Sequence, residues 1–107
     1  MTSTLGFTDV TASGQAFEID FPLHPQTRSA EGVSDLMTAL LETISQTPAG
    51  RRDLSDGDVL QALAMTLAIR ARMLSATPES TASLIEDLFD TAYAAARAAT
   101  PYVAGRA

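Results

Sequence analysis

Between Ser55 and Ser75 lies a helical pattern that is apolar on nearly every side. Projected at ~100° per residue, Leu60, Leu63, Leu67, Ala71 and Leu74 form one stripe, with Val59 at its edge. Met65, Ile69 and Met73, with Ala62, lie on a second side. The polar wedge that remains is narrow, mainly Gln61 and Arg72. A helix of this kind needs cover on several sides. A small domain buries only part of its surface, and a symmetric dimer is the commonest remedy. The expected interface is therefore Met65, Ile69 and Met73, adaptable side chains suited to a contact surface. Packing of the same three residues under the N-terminal arm is the competing reading.

Two further helices flank this one. Val33, Leu36, Met37, Leu40, Leu41 and Ile44 follow helical spacing and predict a helix from Ala30 to Gln46, ended by Thr47-Pro48-Ala49-Gly50. The middle helix has a marked start. Ser55 is the N-cap, Asp58 stands three residues on as in a capping box, and Leu54 and Val59 are placed for a hydrophobic staple. The third helix opens at Thr77-Pro78-Glu79, a cap, a proline at the first helical position and an acid suited to the dipole. Its stripe is Leu84, Ile85, Leu88, Phe89, Ala92, Ala95, Ala96 and Ala99, and Pro101 ends it. Short connections make sequential helices antiparallel neighbours.

Ahead of the helices, Phe17-Glu18-Ile19-Asp20-Phe21 alternates with period two, the signature of a half-buried strand, and Pro22 and Pro25 stop it. Leu5 to Val10 is its candidate partner, joined through Ala12-Ser13-Gly14-Gln15. A lone hairpin is marginal in water, so its Phe17 and Phe21 face must dock on helices or on another subunit. An extended arm is the alternative. The expected fold is mainly α: a three-helix up-down-up bundle over 29–100, an N-terminal arm or β-hairpin over 1–28, and a flexible tail over 101–107.

The rest of the composition mostly excludes. There is no Cys, hence no disulfide framework, zinc ribbon or thiol nucleophile. All seven basic residues are Arg, so Schiff-base lysine chemistry and a P-loop are out. Thirteen acids against those seven give a net charge of −6, which repels nucleic acid and anionic membrane surfaces alike. No apolar run approaches the ~20 residues of a membrane span, and residues 1–14 lack the pattern of a secretory signal. A cytoplasmic setting is expected, with no nucleic acid and no membrane as partner. The Trp-x-Gly turn of small secreted helical-hairpin proteins is absent, because the chain has no Trp.

Few residues carry candidate chemistry. Arg70 projects close to the Leu63/Leu74 stripe and must snorkel or find a carboxylate, with Glu86, Asp90 and Asp20 as candidates. His24, the one histidine, sits between Pro22 and Pro25. Glu79, Glu86, Asp87 and Asp90 share a polar side of the third helix, where a solvated face accounts for them. A di-iron carboxylate bundle needs Glu-x-x-His motifs that this chain lacks. Asp56-Gly57-Asp58 lacks the remaining ligands of a calcium loop. There is no Gly-x-Ser-x-Gly turn and no GxGxxG. No catalytic residue, no metal site and no cofactor are expected. The leading expectation is a non-enzymatic, homodimeric helical interaction module serving as adaptor, regulator or assembly subunit, with a protein partner possible. The alternative is a binder of a small anionic ligand, or a weak enzyme, using Arg70 and His24 beside a pocket between helices two and three.

Overall fold

The computed structural model describes residues 3–10, 15–50 and 54–103. Along the chain these form β1 (Thr4–Val10), β2 (Gln15–Pro22), α1 (Ala30–Gly50), α2 (Asp56–Arg72), α3 (Pro78–Ala98) and β3 (Pro101–Val103). The protein is mainly α, with three helices and an N-terminal antiparallel hairpin. It divides into two compact units: Met1–Ser34 with Ile85–Ala107, and Asp35–Leu84. The division cuts through α1 and α3 and does not fall at residue 28.

In the first unit the sheet has the order β1-β2-β3, antiparallel throughout. Leu5 faces Phe21 and Phe7 faces Ile19 across the β1–β2 ladder. These four residues and Phe17 are half-buried, while Thr4, Gly6, Thr8, Glu18 and Asp20 are exposed. The period-two alternation thus sets one apolar and one polar face, as strand geometry requires. Ala16 is 1% exposed and pairs with Val10 on one side and Tyr102 on the other. The expected turn at Ala12–Gly14 lies outside the described residues. The stretch expected as a tail from residue 101 instead begins as β3, paired with Gln15–Phe17. Pro101 has no N–H to donate, and β3 is an edge strand, where a proline is tolerated.

Helix starts follow their caps. Ser29 Oγ accepts the Gly32 N–H at 2.9 Å, a cap that opens α1. A Cβ at Gly32 would come within 3.0 Å of that oxygen, so the glycine leaves the cap room. Thr77 Oγ1 accepts the Ser80 N–H at 3.1 Å and opens α3, with Pro78 first in the helix. α1 runs to Gly50, past the expected stop at Gln46. The helix continues past the proline at position 48 although that residue has no N–H to give to the carbonyl four residues back. α2 ends at Arg72, earlier than Ser75, as Met73 and Leu74 donate to the Arg70 and Ala71 carbonyls and tighten the last turn.

Candidate interaction surface

The second unit carries α2, and none of its residues is buried. Leu60 is 67% exposed, Met65 56%, Ile69 62% and Met73 66%. Leu63, Leu67 and Leu74 are exposed as well. The structure therefore leaves open both sides that the sequence pattern distinguished: the Met65/Ile69/Met73 side and the principal leucine stripe. The helix itself is well founded. Its capping box is closed in both directions, Asp56 and Asp58 stand at its positive end, and Arg70 and Arg72 at its negative end.

One side of α2 does face a neighbour. Leu40, Thr43 and Ile44 of α1, with Leu54, Asp58, Val59, Ala62, Leu63 and Thr66, line an open apolar hollow of about 230 Å³. Leu54 and Val59, the staple pair, both belong to it. Thr43 and Thr66 turn their hydroxyls back onto the Ala39 and Ala62 carbonyls, each at 2.8 Å.

Arg70 is exposed at the end of α2, where its Nη1 lies 3.4 Å from Met73 Sδ. The guanidinium donates to the chain's own thioether, a weak acceptor. The carboxylates suggested for it, Asp20, Glu86 and Asp90, belong to the other unit.

His24 lies in the first unit, in the turn closed by the Thr27 N–H on the His24 carbonyl at 3.0 Å. Its Nδ1 accepts the Gln26 N–H at 3.1 Å. With Nδ1 so used, the neutral ring carries its proton on Nε2. Pro22, Leu23, His24 and Pro25 share a second hollow, about 160 Å³, with Asp87, Leu88 and Thr91 of α3. Phe17 and Phe21, expected at an interface, are half-buried in this same unit.

Three members of the expected apolar stripe of α3, Leu84, Leu88 and Phe89, are exposed, Phe89 the most. Phe89 is 60% exposed and stacks on Tyr93, with ring centroids 5.5 Å apart. The Arg97 guanidinium stands 5.9 Å from the Tyr93 centroid. Spacing at i, i+4 and i+8 makes these three one ladder along the helix. That spacing is the signal in the sequence that would have found it. Ile85, Ala92, Ala95, Ala96 and Ala99 are half-buried, and the acids Glu79, Glu86, Asp87 and Asp90 are exposed.

Among the described residues, no three His, Asp or Glu side chains gather where they could hold a metal ion. No helix among them is long and apolar enough to cross a membrane. No protein-family model, no curated protein and no solved structure matches this chain. The functional reading therefore rests on its surfaces.

Proposed function

We propose that this protein is a non-enzymatic, homo-oligomeric helical interaction module, working as an adaptor, regulator or assembly subunit. The observation that supports this reading is the state of α2: a capped, well-formed helix with no buried residue, with Leu60, Met65 and Ile69, and the C-cap Met73, each more than half exposed. Fully burying one such side chain contributes ~1.5–3 kcal/mol, so covering several on each of two copies offsets much of the ~4–15 kcal/mol that association costs. Contiguous apolar surface of this kind marks protein contacts. The net charge of −6 keeps the polar faces soluble and disfavours polyanions as partners. A chain without cysteine suits a reducing, cytoplasmic setting.

Native mass spectrometry, under conditions that retain non-covalent ligands, tests the proposal. A dimer or higher oligomer without an adduct is the expected result. A monomer carrying a stoichiometric small molecule overturns it and turns attention to Arg70 and His24.

A further inference from the structure

The seven-residue repeat along α2 says how two copies would meet. Leu60, Leu67 and Leu74 recur at intervals of seven, and Gly57, Ala64 and Ala71 recur at the same interval between them. Read together, the spacing alternates three and four, which is the seam of a two-helix coiled coil. One seam position is always Leu and the other always small. None of these six residues lines the hollow shared with α1. All three leucines are exposed, Leu74 just past the helix end at Arg72, and Ala64 and Gly57 are exposed while Ala71 is half-buried. Among the described residues a Cβ at Gly57 would meet Ser55 Oγ alone, at 3.6 Å, an ordinary contact, so none of them calls for a glycine there.

We propose that this seam docks a second copy of the chain, with the two α2 helices antiparallel about a two-fold axis. The inference rests on the oligomeric reading above and names its interface. Two facts select the orientation. First, size: in a parallel pair each residue faces its own copy, so Leu–Leu layers alternate with Gly–Gly and Ala–Ala layers. No single helix separation then fills both. In an antiparallel pair Leu60 meets Ala71 and Leu67 meets Ala64, twice over by the two-fold, while Leu74, two residues past the helix end, falls near Gly57 of the other copy. Every layer then holds one large and one small side chain, and the helices approach closely and evenly. Second, charge: Asp56 and Asp58 occupy the first turn, Arg70 and Arg72 the last. Antiparallel pairing brings the acidic end of one helix beside the basic end of the other, and opposes the helix dipoles favourably. Parallel pairing sets like against like.

This assigns the copy-to-copy contact to the leucine side of α2 and frees the Met65/Ile69/Met73 side. The absence of native cysteine makes cross-linking a clean test. Leu60→Cys and Ala71→Cys proteins, mixed, exchanged and oxidised, are expected to form the disulfide-linked heterodimer, whereas Ala71→Cys alone stays uncross-linked. Ala71→Leu, which keeps helix propensity, is expected to raise the dimer dissociation constant at least tenfold, and Ile69→Glu to change it less than threefold. Self-cross-linking of Ala71→Cys means a parallel pair and overturns the proposal. A dimer lost with Ile69→Glu but untouched by Ala71→Leu also overturns it, while the oligomeric reading stands. A wild-type monomer at every concentration tested by sedimentation removes both.

Discussion

Ser55 and Asp58 close a reciprocal pair across the first turn of α2: Ser55 Oγ accepts the Asp58 N–H, and Asp58 Oδ2 accepts the Ser55 N–H, each at 3.1 Å. Two donors that the helix cannot satisfy internally are thereby paired. This box fixes where α2 begins, and so which of its residues fall on which side. Ser55→Ala is expected to cost about 1 kcal/mol of stability. Asp58→Ala should cost a similar amount, and the double variant less than the two together, because each single change already breaks the pair. Urea denaturation of the three variants checks this. Strict additivity would mean that the two bonds act separately.

The same pair shows why much of the fold is legible in the residues. Caps act within three positions, so Ser55 with Asp58 and Thr77 ahead of Pro78 mark helix starts without knowledge of the rest of the chain. The alternation from Phe17 to Phe21 is equally local. What stays hidden depends on distant partners. Pro101–Val103 is too short to show a period, and it becomes a strand only because β2, near the other end of the sequence, offers an edge. Proline at position 48 reads as a stop, yet α1 runs two residues beyond it, to Gly50. The leucine stripe of α2 reads as core, since a pattern reports only that a side wants cover and never which chain supplies it. Phe89 misleads for a related reason: Tyr93 on its own helix, itself under Arg97, stacks on it while it remains exposed.

Ile69 tests whether its side of α2 is surface or core. The residue is 62% exposed, so Ile69→Glu should leave helix content unchanged and shift unfolding free energy by no more than about 0.5 kcal/mol. Far-UV circular dichroism and chemical denaturation at low protein concentration measure both. Loss of structure in the monomer would make Ile69 ordinary core. Retained structure with loss of binding to a protein partner would assign that side of α2 to the partner.

Arg70 separates the interaction reading from the ligand-binding one. Its contact is the Met73 thioether, and it is exposed, so Arg70→Met should change monomer stability by only a few tenths of a kcal/mol. Calorimetry with phosphate and with small carboxylates, on wild type and variant, is expected to show no saturable heat in either. A saturable signal in the wild type that Arg70→Met abolishes, with stability retained, would make Arg70 an anion ligand.

The Phe89–Tyr93 stack lies on an exposed helix side, where a pair four residues apart contributes about 0.2–0.5 kcal/mol to the helix. Phe89→Ala should lower stability by about that much, and Arg97→Gln by less. The near-ultraviolet circular dichroism of Tyr93 should weaken with the first change. A loss above about 2 kcal/mol would mean that Phe89 is covered in solution, because only truncation of a buried aromatic costs so much.

Gly6 offers a gain. It lies in edge strand β1, on the polar face, opposite Asp20, and among the described residues a Cβ there would meet only Asp20 Oδ1, at 3.6 Å, an ordinary contact. Thr4 and Thr8 flank it on the same exposed face. Glycine weakens a strand by its freedom in the unfolded chain and its lack of a side chain to pack. Gly6→Thr completes a row of three threonines and should raise stability by roughly 0.5–1 kcal/mol, read from the urea midpoint at constant slope. A loss of similar size, appearing only at concentrations where the protein is oligomeric, would show instead that another chain approaches the polar face of the sheet closely at position 6. That contact would then have to be separated from the one made by α2.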